Sequence, residues 1–235
     1  MYLKIRLALA ALALSTVAVG QVSYNNAPSD GPFQVRYFAN LGPLHDSLID
    51  FANTGANGTA DICVNTYTFA ADEQLVSCCS CRVTRNALWS LSVRNDLLSN
   101  TLTLGSVTSG LVKLLATAPT AAGQAGCDPA SATGLPVQGM AAWGTSIHIA
   151  LRANGNPDPF FPGFGTETPF TNSSLSAQEQ AIMTSYCGFI KLTGSGFGIC
   201  RSCDLAASAV GINPATQTTV NNSPEQNTGL GAAKQ

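Results

Sequence analysis

The amino-acid sequence predicts a mainly β protein, an antiparallel β-sandwich stapled by disulfides, with one short α-helix over about 176–188 and long loops. Three observations lead to this fold class. The chain contains 8 cysteines, all of them after residue 62. Several short runs alternate apolar and polar residues or are rich in β-branched and aromatic residues. Turn-forming Gly, Pro and Asn residues separate these runs, as is typical of sandwiches and barrels.

The strands are predicted from period-two patterns. Phe33–Tyr37 alternates apolar and polar residues, as a half-buried strand should. In Leu88–Val93 the residues Trp89, Leu91 and Val93 share one face, which we expect to point into the core. An Asn57-Gly58 pair predicts a hairpin or short loop before the third run. The remaining strand candidates are Ser47–Phe51, Ile62–Phe69, Gln74–Ser77, Leu111–Thr117 and Met140–Leu151.

One helix interrupts the strand pattern. Ser176 followed by Glu179 forms a capping box, in which each side chain satisfies backbone amides at the start of a helix. Ile182, Tyr186 and neighbouring apolar residues follow at helical spacing, and we expect the helix to end by Gly188. The preceding run, Pro157–Pro169, is dense in Phe, Gly and Pro, and no regular structure is predicted for it.

The first twenty residues resemble an export signal. Lys4 and Arg6 precede the apolar run Leu7–Val19, and small residues allow cleavage before Gln21. An uncleaved anchor is the alternative interpretation. No later stretch is long and apolar enough to span a bilayer, so no membrane span is expected after cleavage. We therefore divide the chain into a signal peptide (1–20), one β-rich disulfide-bonded domain (21–203) and a polar, extended or flexible tail (204–235).

All eight cysteines are predicted to form disulfides, because an even number of cysteines in an exported chain is typical of a covalent framework. We expect the cluster at 78–81 to cross-link to the cluster at 200–203, and Cys127 to pair with Cys187. A four-cysteine zinc site and a redox-active CxxC at Cys200 are the alternatives. The eight residues are Cys63, Cys78, Cys79, Cys81, Cys127, Cys187, Cys200 and Cys203.

The charge pattern excludes some partners. Charged residues make up 10% of the chain, and the net charge is −2. No basic stripe is present, so nucleic-acid binding is not expected. A weakly charged surface has little electrostatic repulsion, which favours contact with further copies or with a polymer. The alternative explanation is an exported protein from an organism whose proteins carry few charges.

No catalytic, cofactor-binding or metal-binding residue is predicted, and no cofactor. The chain has 2 histidines, His45 and His148, and neither belongs to a known catalytic motif. His148 is expected to be a hydrogen-bonded sheet residue. Asn154–Asp158 offers several oxygen ligands but too few acidic groups for a dedicated calcium loop, so a turn is favoured. Trp143 and Phe160–Phe164 could stack on sugars, although core packing is the commoner role of aromatic residues.

The sequence also resembles a group of uncharacterised, secreted, cysteine-rich bacterial proteins. Three segments carry the resemblance: Cys78–Thr84, Leu91–Asn100 and Gly196–Cys203. The group has no assigned activity, so the resemblance implies a bacterial, exported origin and transfers no functional residue.

These features favour a secreted structural or adhesive cell-surface protein that is not an enzyme. It could be the subunit of a pilus-like extracellular filament, with further copies of itself as partners. Strand addition would join the subunits, with candidate donor segments at Val22 and Tyr24 or at Val210 and Ile212. The alternatives are a secreted module that binds surface glycans or another ligand, and a hydrolase with an unrecognised site.

Overall fold

The computed structural model describes residues 30–39, 41, 45–58, 60–98, 107–122, 126–132, 135–149, 151–156, 163–193 and 199–203. The predicted signal peptide, the predicted tail and the four candidate strand-addition residues, Val22, Tyr24, Val210 and Ile212, lie outside the described residues.

Nine strands and one α-helix follow one another along the described chain. They are β1 (Phe33–Phe38), β2 (Ser47–Asn53), β3 (Ile62–Ala70), β4 (Leu75–Val83), β5 (Leu88–Ser92), β6 (Gly110–Thr117), β7 (Met140–His148), β8 (Phe164–Pro169), β9 (Thr171–Asn172) and α1 (Ala177–Leu192).

The strands form two antiparallel sheets, which confirms the predicted fold class. One sheet has the order β4-β3-β6-β1-β9, and the other has the order β5-β2-β7-β8. Their facing sides share one hydrophobic core, in which Val64 and Leu114 of the first sheet are buried together with Phe51 and Leu91 of the second. Burial of these alternating side chains supplies the main driving force for the pairing of the sheets.

The alternation of side chains explains which strand residues are buried and which are exposed. In β5, Leu91 is fully buried, whereas Leu88 on the opposite face is 61% exposed. The apolar face predicted from period two is therefore confirmed. β3 is buried over nearly its whole length because both of its faces are covered. Val64 faces the second sheet, and Tyr67 faces α1 in a separate cluster with Met183.

α1 forms a third layer on the outer side of the five-stranded sheet. The Ser176 side chain accepts a hydrogen bond from the backbone N–H of Glu179, as the serine half of the capping box predicts, whereas the Glu179 carboxylate accepts one from Lys113. The expected end at Gly188 is wrong, because the helix continues to Leu192. A glycine costs an interior helical position only about 1 kcal/mol, and Lys191 beyond it is held by an ion pair to Asp128. Among the described residues, no helix is long and apolar enough to cross a membrane.

Two predicted strand boundaries and one segment without a predicted element differ from the structure. β4 extends from Leu75 to Val83, so the cysteine cluster at 78–81 lies inside a strand that was expected to end at Ser77. β7 ends at His148 rather than at Leu151. β8 occupies Phe164–Pro169, for which no regular structure was predicted. Most residues of β8 are exposed, so no alternation of buried apolar residues marks it in the sequence.

Candidate functional site

All eight cysteines form disulfides. The pairs are Cys63–Cys127, Cys78–Cys187, Cys79–Cys200 and Cys81–Cys203. The two cysteine clusters therefore cross-link to each other, as the sequence predicts. The expected Cys127–Cys187 pair is wrong, because each of these cysteines bonds to a different strand.

Strand geometry explains the connectivity. Tyr67 of β3 lies opposite Cys78 of β4, so Cys78 shares the face that α1 covers and bonds to Cys187 of that helix. Thr66 lies opposite Cys79, and Val64 lies opposite Cys81, which places both cysteines on the inter-sheet face. Successive side chains of a strand point to opposite faces. The adjacent residues Cys78 and Cys79 must therefore find partners in different layers.

The segment 199–203 covers the free edge of β4. Ile199 forms a parallel bridge to Ser80, and two disulfides fix the residues that follow. The carboxylate of Asp96, which is only 3% exposed, accepts hydrogen bonds from the backbone N–H and the hydroxyl of Ser202, at 3.0 and 2.8 Å. Sequence reasoning missed Asp96, because a single acidic residue in a mixed polar and apolar stretch carries no recognisable signal.

The other sheet edges differ in how they are protected. On β5, the indole N–H of Trp89 donates to the carbonyl of Arg82 at 3.2 Å and ties this edge strand to β4. β9 is only two residues long. On β8, residues 165–168 are exposed, and within the described chain β7 is its only paired neighbour. β8 is therefore the longest edge that the described residues leave uncovered.

The direction of the β8 backbone follows from its register. Phe170 donates its backbone N–H to the carbonyl of Ala142 in β7 at 2.9 Å. In an antiparallel pair, hydrogen-bonded and non-hydrogen-bonded positions alternate. Gly165 and Glu167 consequently direct their backbone N–H and C=O groups away from β7. Pro169 occupies the next outward position, where a proline removes no ladder bond.

Arg36 holds β8 against the first sheet. Its guanidinium donates to the carbonyl of Thr168 at 2.7 Å and lies 5.0 Å from the centre of the Phe38 ring. Burial lowers the pKa of Arg36 from its ordinary value. Gly144 of β7 gives this side chain its space, because a Cβ at that position would collide with the guanidinium.

The chain enters the domain beside β9. A Cβ on Gly31 would overlap the side chain of Asn172, so residue 31 lies against that strand. The carbonyl of Asp30 accepts a hydrogen bond from the backbone N–H of Gly139 at 3.1 Å. Because β9 follows β8 after Phe170 alone, residue 31 lies beside the strand into which β8 leads.

Both histidines line one open cleft of about 580 Å³, which sequence reasoning had no means to find. His45 precedes β2, and His148 is the last residue of β7. Residues of both sheets complete the lining, among them Tyr37, Ser146 and Thr166. His148 is thus a strand residue, as expected, but it is an exposed one at the mouth of a cleft. Imidazole, phenol and hydroxyl groups can together bind a polar ligand through hydrogen bonds.

α1 presents an apolar stripe away from the sheet. Ile182, Tyr186 and Phe189 are 41%, 51% and 66% exposed. The face that packs on the sheet instead carries Met183 and Cys187. The helical spacing found in the sequence therefore marks the outer surface of the helix rather than its buried side.

The structure also describes the candidate ion-binding loop and one of the candidate sugar-stacking residues. The Asn154 side chain accepts the backbone N–H of Asn156 at 3.1 Å, which agrees with the favoured turn. Trp143 lies half-buried on β7. The side chains of Phe160–Phe164 lie outside the described residues.

No protein-family model, no curated protein and no solved structure matches this chain.

Proposed function

We propose that this chain is an exported, non-enzymatic structural or adhesive protein of the cell surface, and that its copies assemble by strand addition at β8. Four disulfides support export, because such bonds persist in oxidising compartments. The cysteines are at most 3% exposed. Burial of this kind suits a framework that keeps its shape outside the cell.

The observation that carries the proposal is the edge of β8, which the described part of the chain leaves uncovered. Gly165 and Glu167 direct backbone hydrogen-bonding groups outward, and an extended segment of another copy could pair with them. The edge of β4 is covered by residues 199–203. A donor segment of one copy that pairs with the β8 edge of the next forms a heterologous contact, which continues into a filament unless the rotation closes a ring.

Of the two candidate donors, we favour the segment with Val22 and Tyr24. It lies upstream of Gly31, which packs against Asn172 of β9 at the margin of the first sheet that β8 leads into. A short arm leaving this side of one copy could extend the β8 edge of the next. The segment with Val210 and Ile212 instead follows Cys203, which bonds to β4 at the opposite margin of the first sheet.

Electron microscopy and light scattering on the purified protein test the assembly. We expect filaments or concentration-dependent oligomers from the wild-type chain. Glu167→Pro removes one outward N–H and should abolish them, whereas Glu167→Ala changes the side chain, keeps the N–H and should assemble normally. A wild-type chain that stays monomeric at high concentration would contradict the proposal, and so would normal assembly of Glu167→Pro.

A second candidate function is recognition of a surface glycan at the cleft between His45 and His148. Hydroxyl and imidazole groups are suitable partners for sugar hydroxyls, and Tyr37, which is 61% exposed, offers a ring for stacking. A glycan array probed with the wild-type protein and with His148→Ala tests this function. Binding that is lost in His148→Ala but retained in Glu167→Ala would favour it, and an array without signal would exclude the glycans presented.

A further inference from the structure

The two disulfides at the edge of β4 bring their sulfur atoms unusually close together. The sulfurs of Cys81, Cys200 and Cys203 lie within 4.8 Å of one another, and all three residues are buried. Cys200 is bonded to Cys79, so a fourth sulfur adjoins this group. The other two disulfides, Cys63–Cys127 and Cys78–Cys187, contribute no ligand to this group.

Local structure arranges the four residues as two pairs that face each other. Cys79 and Cys81 are two positions apart on β4, so their side chains share the inter-sheet face. Cys200 and Cys203 flank a short turn in which the backbone N–H of Cys203 donates to the carbonyl of Cys200 at 2.9 Å. Asp96 holds this turn through Ser202 without involving a sulfur.

Four cysteine thiolates are one of the usual ligand sets of a structural zinc ion, and Cys200 and Cys203 have the typical two-residue spacing. Zinc binds cysteine sulfur at about 2.3 Å in a tetrahedron, which separates the sulfurs by roughly 3.8 Å. The sulfurs of Cys81, Cys200 and Cys203 already lie within 4.8 Å of one another, and the sulfur of Cys79 is held beside that of Cys200 by their bond. Thiolate ligands select zinc and similar soft divalent ions over magnesium or calcium.

We propose that Cys79, Cys81, Cys200 and Cys203 form a tetrathiolate site for one zinc ion when the protein is reduced, and that zinc and the two disulfides exclude each other. Two molecules of a dithiol each transfer two electrons and two protons to a disulfide, which yields four thiols and two cyclic disulfides. Zinc binding then releases the four thiol protons. Oxidation by two disulfide molecules, with uptake of four protons, restores both bridges and expels the ion.

The consequence concerns the edge of β4. Either the disulfides or the zinc ion would tie residues 199–203 to this strand, so its edge would stay covered in both oxidation states. A chain that meets reducing conditions would then keep its protected edge through the metal. This inference does not depend on assembly at β8.

Cadmium, which reports thiolate ligation through ultraviolet charge-transfer absorbance, is a suitable probe. The purified protein is reduced without oxygen and titrated with cadmium or with zinc. We expect one ion per chain with cadmium–thiolate absorbance. Binding should persist in the variant with Cys63→Ser and Cys127→Ser. It should be lost in the variant with Cys81→Ser and Cys203→Ser. Failure of the reduced wild-type chain to bind, or binding that survives loss of Cys81 and Cys203, would overturn the proposal.

A measurement on the wild-type chain alone avoids any folding defect of the variants. The reduced protein is alkylated with and without zinc, and the modified cysteines are identified by mass spectrometry. Zinc should protect Cys79, Cys81, Cys200 and Cys203 while Cys63 and Cys127 react. Protection of a different set, or equal reaction of all the cysteines, would contradict the site.

Discussion

The disulfide between Cys78 and Cys187 should be the strongest single attachment of α1 to the sheet. Replacing both residues by Ala removes the bridge without leaving a free thiol. The bridge spans a sequence separation of 109 residues. In the chain-entropy treatment, a loop of this length restricts the unfolded chain by about 16 cal/mol/K, which is about 5 kcal/mol at 25 °C.

The non-covalent contacts that hold α1 to the sheet are each weaker than this bridge. The ion pairs Lys113–Glu179 and Lys191–Asp128 both measure 2.6 Å, but all four side chains are partly exposed, so each pair adds about 1 kcal/mol at most. Burial of Met183 adds about 1.5–3 kcal/mol. We therefore expect the variant to lose about 4–5 kcal/mol of unfolding free energy and to release α1 locally before the sheets unfold.

Denaturant unfolding and hydrogen exchange measure the two effects. The amides of residues 177–192 should lose more protection than those of β3. A variant with Ala at Cys63 and Cys127, whose bridge spans 64 residues, is the matched control. It should lose about 4 kcal/mol but should keep the protection of α1. A loss under about 1 kcal/mol in the first variant, with unchanged exchange in α1, would refute the reasoning, because native disulfides typically contribute more.

Three further predictions concern single side chains. Tyr67→Phe should cost about 1–2 kcal/mol in urea unfolding, because the Tyr67 hydroxyl donates to the carbonyl of Pro129 at 2.7 Å in a buried site; an unchanged midpoint would contradict this. Leu91→Ala should cost about 2–5 kcal/mol in the same assay by leaving a cavity between the sheets, and a smaller loss would show that the core collapses around it. Burial alone would raise the pKa of Asp128, but hydrogen bonds from Lys191 and from backbone N–H lower it below its ordinary value. Its contribution is therefore present above about pH 4 and lost as the pH falls through the lowered value; Asp128→Asn should be less stable than the wild type near pH 7 and equal to it near pH 2, and an equal difference at both would refute the assignment.

The sequence predicts the framework of the fold well, because burial on one face leaves a period-two pattern. β1, β2, β3, β5 and β6 lie within about two residues of their predicted positions. β8 has no such signal, because its residues are exposed and are held through backbone hydrogen bonds and Arg36 rather than through burial. The position of β8 depends on its pairing with β7, and a periodic pattern in the sequence does not report such pairing.

The candidate sites were less accessible to sequence reasoning. The cross-link between the two clusters was expected because each cluster holds several cysteines. The partners of Cys127 and Cys187 depend instead on which face of the sheet Cys63 of β3 and Cys78 of β4 occupy. The meeting of His45 and His148 at one cleft depends on the pairing of β2 with β7. Such long-range pairings come from the tertiary fold, and no local motif reports them.

The apolar stripe of α1 illustrates a limit of helical periodicity. Spacing of three and four residues shows that Ile182, Tyr186 and Phe189 share a face, but it does not show which way that face points. The direction is set by the bridge from Cys187 to β4 and by the packing of Met183 against the sheet.

Four buried disulfides in one defined connectivity attach Cys127, α1 and the segment 199–203 to strands β3 and β4 of the five-stranded sheet. Peptide mapping by mass spectrometry under non-reducing conditions, on protein purified from an oxidising compartment, tests this connectivity most directly. We expect only the linkages Cys63–Cys127, Cys78–Cys187, Cys79–Cys200 and Cys81–Cys203. Free thiols at these positions, or a Cys127–Cys187 linkage, would contradict the account.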